Sequence, residues 1–598
     1  MKPFWRSFWA SSLANLIIGV CILIFFVLII SVFSSGLFEK QEFKVNKNAI
    51  LHITLDEAIS EKSYIDLNPN ASSFISKTIG LKEIKMALKA AINDDNVSGL
   101  LLNVDVINAG MATVEEIRSS IINFKEKSGK FVLAYSEFYS QKAYYLSSVA
   151  DKIFLFPEGL LEFKGLGVEL MFFKGAIDKL GLEMQIIRGS NNIFKSAVEP
   201  FMYDSMSVAN KEQTLTYLND LWDNMLDGIK KTRGISIDDL NVIADSLYIR
   251  KAEDATKLKF IDKLLYKDEL LEILTNKSEL TENEELNLVP FSKYCINIAN
   301  NNLTNSLVNK KNIAVIYAVG EIKSGQGDNT ILGSEEISDA IRQARKDKDI
   351  KAIVLRVNSP GGSALASDVI WREVKLAKQE KPVIVSMGDV AASGGYYISC
   401  AADKIYAQAN TITGSIGVFG VIPNIGPMLK EKLGITFDRA STNLHSTLSM
   451  TKKLSADEYK IIQQSVDEIY DDFITKVAEG RDGLIKEDVD KIGQGRVWSG
   501  EDALHLGLID ELGGINDAIS YAAEVSKIES INLDIYPKRE TDKIIEIINQ
   551  LELDNSSIYK NNNSLLETKF KSLLRTIEQV NNLDCYQARL PYDITIVK

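Results

Sequence analysis

Two stretches of this chain repeat one another about 250 residues apart, the mark of a duplicated domain and not of a solenoid unit of roughly 20–50 residues. Gln141-Lys142-Ala143-Tyr144-Tyr145, followed by Ala150-Asp151-Lys152-Ile153, returns as Ser393-Gly394-Gly395-Tyr396-Tyr397, followed by Ala402-Asp403-Lys404-Ile405. Upstream, the apolar run from Gly99 to Asp105 lies over Ala352 to Asn358; downstream, Glu253-Asp254-Ala255 and Ile261-Asp262 lie over Glu501-Asp502-Ala503 and Ile509-Asp510. The copies have decayed in complementary places. The loop Ser359-Pro360-Gly361-Gly362 faces Val106-Ile107-Asn108-Ala109, and Ser393-Gly394-Gly395 faces Gln141-Lys142-Ala143, so the rear copy alone keeps a serine on a glycine turn. Conversely Lys195, in Arg188 to Lys195, faces Ser446 in Arg439 to Ser446, so the front copy alone keeps that lysine.

A chain of 598 residues has room for two or more domains with full cores. Its 68 basic and 81 acidic side chains give a net charge of −13, which argues against a nucleic-acid partner. Leu16 to Phe33 carries no charge; as a helix it would be about 27 Å long, enough to cross a hydrocarbon core of roughly 30 Å. Lys2 and Arg6 precede it and Trp5 and Trp9 suit the interface, placing the first residues in the cytoplasm and the rest across the membrane. The run is longer than a signal-peptide core and no clear A-x-A site follows, so it reads as an uncleaved anchor. Cys21, Cys295, Cys400 and Cys585 show no CxxC spacing and the histidines are His52, His445 and His505, so no metal framework emerges and no cofactor is expected. Cys295 and Cys585 could pair in an oxidising compartment.

The chain therefore divides into a cytoplasmic N-terminus (1–12), a transmembrane anchor (13–35), a front repeat domain carrying the lysine (36–296), a linker (297–311), a rear repeat domain carrying the serine (312–536) and a tail (537–598) whose role is not legible. In the rear domain strands and helices alternate: strand from Ile313, helix 334–345, strand 352–357, helix 365–378, strand 382–387, helix 394–402, strand 404–407. That order predicts parallel pairing in an α/β architecture, and the front domain repeats it. Asp457 to Glu479 and Asn210 to Lys231 read as counterpart amphipathic helices.

Ser393 follows a strand and opens a helix, where the helix dipole favours negative charge. A serine there is ordinarily an N-cap, but two following glycines let a bound backbone come close. Ser359-Pro360-Gly361-Gly362 ends the neighbouring strand on the same sheet edge, where α/β sheets bind ligands. Free amides of Gly361 or Gly362, with that of Gly394, could hold the oxygen of a tetrahedral intermediate. Two residues compete as base. His445 is in the same half as Ser393, and histidine is the usual partner. Lys195 occupies nearly the same place in the other half and can serve if burial disfavours its ammonium form, with Phe194, Ala197 and Val198 as an apolar wall. Ser415, in Thr413-Gly414-Ser415-Ile416-Gly417, could orient the amine.

Asn358-Ser359-Pro360-Gly361-Gly362, Ala392-Ser393-Gly394-Gly395-Tyr396-Tyr397 and Thr413-Gly414-Ser415-Ile416-Gly417 together resemble the signal peptide peptidase A family, also called protease IV, in its long duplicated form. The likeness runs from the anchor to about residue 530, and Lys195-Ser196-Ala197-Val198-Glu199-Pro200-Phe201 resembles the family's lysine segment. The resemblance implies a Clp-protease/crotonase-like fold of stacked β-β-α turns and a Ser-Lys dyad drawn from the two halves. Ser393 would be the nucleophile, Lys195 the general base and acid, Gly361, Gly362 and Gly394 the oxyanion hole, and Ser415 a support for Lys195. It further implies a homotetramer in the bacterial inner membrane, its catalytic domains on the periplasmic side, degrading remnant signal peptides in a greasy groove. Three rivals stand beside this reading: a Ser393–His445 protease of the same fold, a crotonase-like acyl-thioester enzyme, and a non-catalytic scaffold.

Overall fold

A computed structural model describes residues 45–66, 76–278, 285–306, 310–538 and 587–589. The elements below belong to one unit, 46–539 together with 563–598. The expected anchor, 13–35, lies outside the described residues. Among the described residues no helix is long and apolar enough to cross a membrane. Most of the expected tail and Cys585 also lie outside them, while Cys295 is a buried free thiol.

Each half is built on a parallel sheet, to which the rear half adds one antiparallel edge strand, Val497–Ser499. In the rear half the strands run in the order Val497–Ser499, Ile412–Gly414, Val383–Ala392, Ala352–Ser359, Ile313–Val319, Leu533–Tyr536. The two central strands open as continuous apolar runs, Ala352 to Leu355 and Val383 to Val385, because both faces are covered there, the usual condition of a parallel sheet. Ile316, Ala318, Leu355 and Val357 face helices Ser334–Lys346, Ala364–Lys378 and Ala456–Gly480, while Ile313, Val315 and Val354 face helix Ile515–Val525. That alternation is the period-two geometry of a strand. The front half repeats the plan with Leu288–Pro290, Ala49–Ile53, Val97–Leu102, Phe131–Tyr139, Lys152–Leu161 and Lys263–Leu264, every pair parallel.

Two expectations shift in detail. The strand expected over 382–387 runs from Val383 to Ala392, its last residues pairing with Ile412–Gly414, so Ser393 follows it directly. The Asn-rich stretch read as a linker, 297–311, is helical as far as Ser306. It ends helix Phe291–Ser306, which holds to the front half through buried Phe291, Tyr294 and Cys295.

Contacts at several places join the halves. Helix Met111–Ser128 of the front half begins at Gly110, which has no side chain to cap it. The cap comes from the rear half, where Asp389 accepts from Thr113 N (2.8 Å) and Thr113 Oγ1 (2.7 Å). Fully buried Arg356, on the central rear strand, binds Glu61 (2.9 Å) and Glu116 (2.7 Å) of the front half, and Glu116 also binds Lys85. Finally, front strand Glu183–Arg188 leaves its own sheet and pairs antiparallel with rear strand Phe419–Asn424, from Arg188↔Phe419 to Glu183↔Asn424. Ser190 and Asn191 then bind Asp467 and Asp490 of the rear half. This crossing carries the segment after Arg188 into the other copy.

The strand pair Glu183–Arg188 and Phe419–Asn424 belongs to a third sheet. Its order is Ile331–Gly333, Glu321–Lys323, Gly361–Ser363, Gln587–Arg589, Phe419–Asn424, Glu183–Arg188.

Candidate active site

Three loops of the rear half meet at the carboxyl end of its central strands. Ser393 N donates to Gly414 O (2.8 Å), tying the serine loop to the loop that carries Ser415. Ser415 N in turn donates to Arg496 O (2.6 Å). A methyl group added at Gly395 would stand 2.6 Å from Ser359 O, so the Ser359–Gly362 turn lies directly against the first turn of helix Gly394–Ser399.

Ser393 is not acting as an N-cap. Its side chain makes no capping hydrogen bond, and its backbone is held at φ 55°, ψ −114°, a conformation that costs of order 1–3 kcal/mol. The front copy is the natural control. There the equivalent helix starts one residue earlier on an ordinary cap, Ser140 at φ −66°, ψ 159°, whose hydroxyl accepts from Ala143 N. Gln141, the counterpart of Ser393, merely pins Lys164 and Gly165 through its amide group. At this position only the rear copy carries the strain.

Lys195 arrives from the front half. Its Nζ lies 2.8 Å from Ser393 Oγ, 3.0 Å from Ser415 Oγ and 2.9 Å from Ser415 O. Lys195, Ser393 and Ser415 are all fully buried. Burial alone pushes the Lys195 ammonium well below the ordinary lysine range. No carboxylate contributes to that shift, which is what a neutral, proton-accepting amine requires. Nζ then donates to two oxygens and keeps a lone pair for a third partner.

The lysine's seat is built from both halves. Val198 is buried with Phe419 and Val421, and Ala197 packs on this cluster. Phe194, expected in the same wall, carries the Arg496 guanidinium 4.7 Å from its ring centroid. Gln213 Nε2 donates to Phe194 O (2.9 Å) and Ser196 Oγ (2.8 Å), gripping both flanks of Lys195, while its Oε1 accepts from Val497 N (3.1 Å). Gly495, at φ +79°, lies under Lys195: a methyl there would stand 2.5 Å from its Cβ and 2.7 Å from its Cα and N.

Gln213 and Gly495 did not emerge from the sequence reading. Gly493-Gln494-Gly495, between helix Lys486–Ile492 and strand Val497–Ser499, was the available signal for Gly495. Gln213 had none, since it is one polar residue on an amphipathic helix.

The glycine positions are arranged unequally. Gly394 N is the first amide of its helix and has no acceptor within it. Gly361, at φ +95°, donates its N–H to Ser359 Oγ at 3.2 Å. Gly362 packs against the backbone of Ile322, where a methyl would stand 2.1 Å from Ile322 O. Asn358 joins the glycine and serine loops, accepting from Val390 N (3.1 Å) and donating to Glu61 of the front half (2.9 Å). His445, the rival base, is 43% exposed with its Nδ1 3.8 Å from Glu458, whereas the amine on Ser393 is that of Lys195. Among the described residues no cluster of metal-ligating side chains occurs.

A buried lysine on a strained serine beside glycine loops is the kind of site found in serine peptidases. Residues 124–281 and 375–529 match the family model described as Peptidase family S49, and 324–413 match that of Clp protease. Protease 4 of Salmonella typhi is 38% identical over 79% of this chain and 76% of its own. Protease 4 of Haemophilus influenzae is 33% identical over 86% and 84%. The chloroplastic serine protease SPPA of Arabidopsis thaliana is 34% identical over 81% and 70%. The chain belongs to peptidase family S49, with both repeats of the long form, a Clp-protease-like fold and serine peptidase activity.

Proposed function

We propose that this chain is a membrane-anchored endopeptidase in which Ser393 and Lys195 form the catalytic dyad. The observation that carries the reading is the 2.8 Å approach of Lys195 Nζ to Ser393 Oγ in full burial. The neutral amine takes the hydroxyl proton as Oγ attacks the scissile carbonyl carbon. The carbonyl oxygen, now an anion, is met by the N–H of Gly394 and by the Gly361–Gly362 loop, where Gly361 exchanges Ser359 for the oxyanion. The ammonium, held by Ser415, returns the proton to the departing amine, and the acyl-enzyme remains. Water then repeats the cycle, losing its proton to Lys195 and releasing the acid with Ser393 restored.

The substrates in this reading are remnant signal peptides, apolar segments suited to an apolar groove. Anchoring through 13–35, with the catalytic halves on the extracytoplasmic side of a bacterial inner membrane, is supported by the uncharged run Leu16 to Phe33 and the basic residues before it. Assembly into a tetramer is supported by exposed Leu433, Ile435, Phe437, Leu444, Leu448 and Met450, more apolar surface than one loop of a monomer normally leaves in water.

A fluorophosphonate serine probe tests the dyad. The parent and His445→Ala should label and hydrolyse peptide alike, while Ser393→Ala should not label and Lys195→Ala should label at a greatly reduced rate. Labelling of Ser393→Ala, or loss of activity in His445→Ala alone, would overturn it.

A further inference from the structure

The third sheet contains a strand from far along the chain. Gln587–Arg589 lies between Gly361–Ser363 and Phe419–Asn424 and pairs antiparallel with both, with Gly361↔Arg589, Gly362↔Ala588 and Ser363↔Gln587 on one side and Phe419↔Gln587 on the other. Both neighbours belong to the candidate site. One carries Gly361 and Gly362. The other continues from the Ser415 loop through Val418, whose carbonyl oxygen accepts from Gly189 N (3.1 Å) and Asn192 Nδ2 (3.3 Å) of the segment leading to Lys195.

Without Gln587–Arg589 the sheet falls into two pieces, and the space between them is one strand wide. Adjacent strands stand about 4.8 Å apart, so the two walls would be roughly 10 Å apart with facing rows of free backbone groups. A slot of that width admits an extended peptide and holds it through its main chain, nearly independently of sequence. The same slot runs past the glycine loop and the dyad. A peptide substrate and Gln587–Arg589 would make the same backbone hydrogen bonds and cannot make them together.

We propose that the segment around Gln587–Arg589 is a tethered competitor, a built-in strand that fills the peptide slot and must leave before a substrate peptide enters. This rests on the reading of Ser393 and Lys195 as the active site. Three residues of strand pairing are a weak hold by themselves. Tethering compensates, because the effective concentration of a linked segment is of millimolar order. The outcome is a throttle on KM and not on the chemical step: once the strand is out, the dyad is unchanged.

The test compares the full chain with a form lacking 539–598 and with full-length Ala588→Pro, which removes the Ala588 N–H without removing the segment. Both should lower KM for a peptide substrate about ten-fold at unchanged kcat, as expected when the tethered concentration is about ten times the segment's dissociation constant. A synthetic peptide of residues 583–594, with Cys585→Ser, added to the shortened form should raise KM again competitively. Unchanged KM in a folded shortened form and in Ala588→Pro overturns the proposal, as does a peptide that fails to compete. Should the shortened form not fold, Ala588→Pro alone decides in the same way. Loss of the catalytic reading is separable. The same fluorescent peptide, followed by anisotropy on Ser393→Ala lacking 539–598, should bind without catalysis; no binding there overturns the competitor whatever the nucleophile proves to be.

Discussion

Gly495→Ala should disable the enzyme without unfolding it. A methyl at this position would stand 2.5–2.7 Å from Lys195 Cβ, Cα and N, and the atoms struck include backbone, not only a flexible side-chain tip. Restoring ordinary carbon contact requires a retreat of about 1 Å. Lys195 cannot absorb this by changing rotamer, because its flanks are gripped by Gln213 and its Nζ already spans Ser393 and Ser415. A shift of about 1 Å between reacting groups costs roughly 10²-fold in rate. The left-handed backbone, φ +79°, adds about 1–2 kcal/mol of strain, well inside the 5–15 kcal/mol that holds a typical fold. Gly434→Ala is the matched control: its φ is +67° and a methyl there meets nothing within 4 Å. The expected result in urea unfolding is a loss of about 1–2 kcal/mol in Gly434→Ala from the left-handed backbone alone and about 1–3 kcal/mol more in Gly495→Ala from the clash, with kcat down about 100-fold in Gly495→Ala alone. A Gly495→Ala enzyme with the parent's kcat would refute the claim that this contact sets the position of Lys195.

Further outcomes follow from the buried groups. Peptide hydrolysis should rise with pH through a value well below the ordinary lysine range, because Lys195 must be neutral to act and burial lowers its pKa. Folded Lys195 is neutral but gains a proton on unfolding between its lowered value and that of a free lysine, so its contribution to stability worsens as pH falls through that window. Lys195→Met should remove this slope in pH-dependent urea unfolding while lowering kcat by about 10²–10⁴. Arg356→Ala should cost about 3–5 kcal/mol in the same assay, since it leaves Glu61 buried without its cation and Glu116 with Lys85 alone. Burial drives the Glu116 carboxyl up, but Arg356 and Lys85 outweigh it and hold it at about 2. The stability it contributes is therefore whole above the ordinary value of 4.5 and lost as pH falls towards about 2, a loss Glu116→Gln should abolish. Gln213→Ala should cost about 1–3 kcal/mol by leaving Phe194 O and Val497 N unpaired, and should reduce kcat more than it alters KM.

The amino-acid sequence determined the duplication, the α/β order within each copy, and the complementary survival of Ser393 in one half and Lys195 in the other. These are written in local patterns. Alternating apolar runs specify strands and helices, and glycines beside a serine specify a tight turn wherever the chain later places it. Whether Lys195 or His445 lies desolvated beside Ser393 was not written locally. Whether an amine is neutral depends on which distant segments close over it, here Ser393 and Ser415 on Lys195, while His445 stays at the surface. The crossing of Glu183–Arg188 into the rear half, the clamp of Gln213 and Gly495, and the strand Gln587–Arg589 beside the glycine loop are likewise decided by pairing between remote parts of the chain. Every residue but proline offers the same backbone N–H and C=O, so which remote strands pair becomes visible only when the chain is folded.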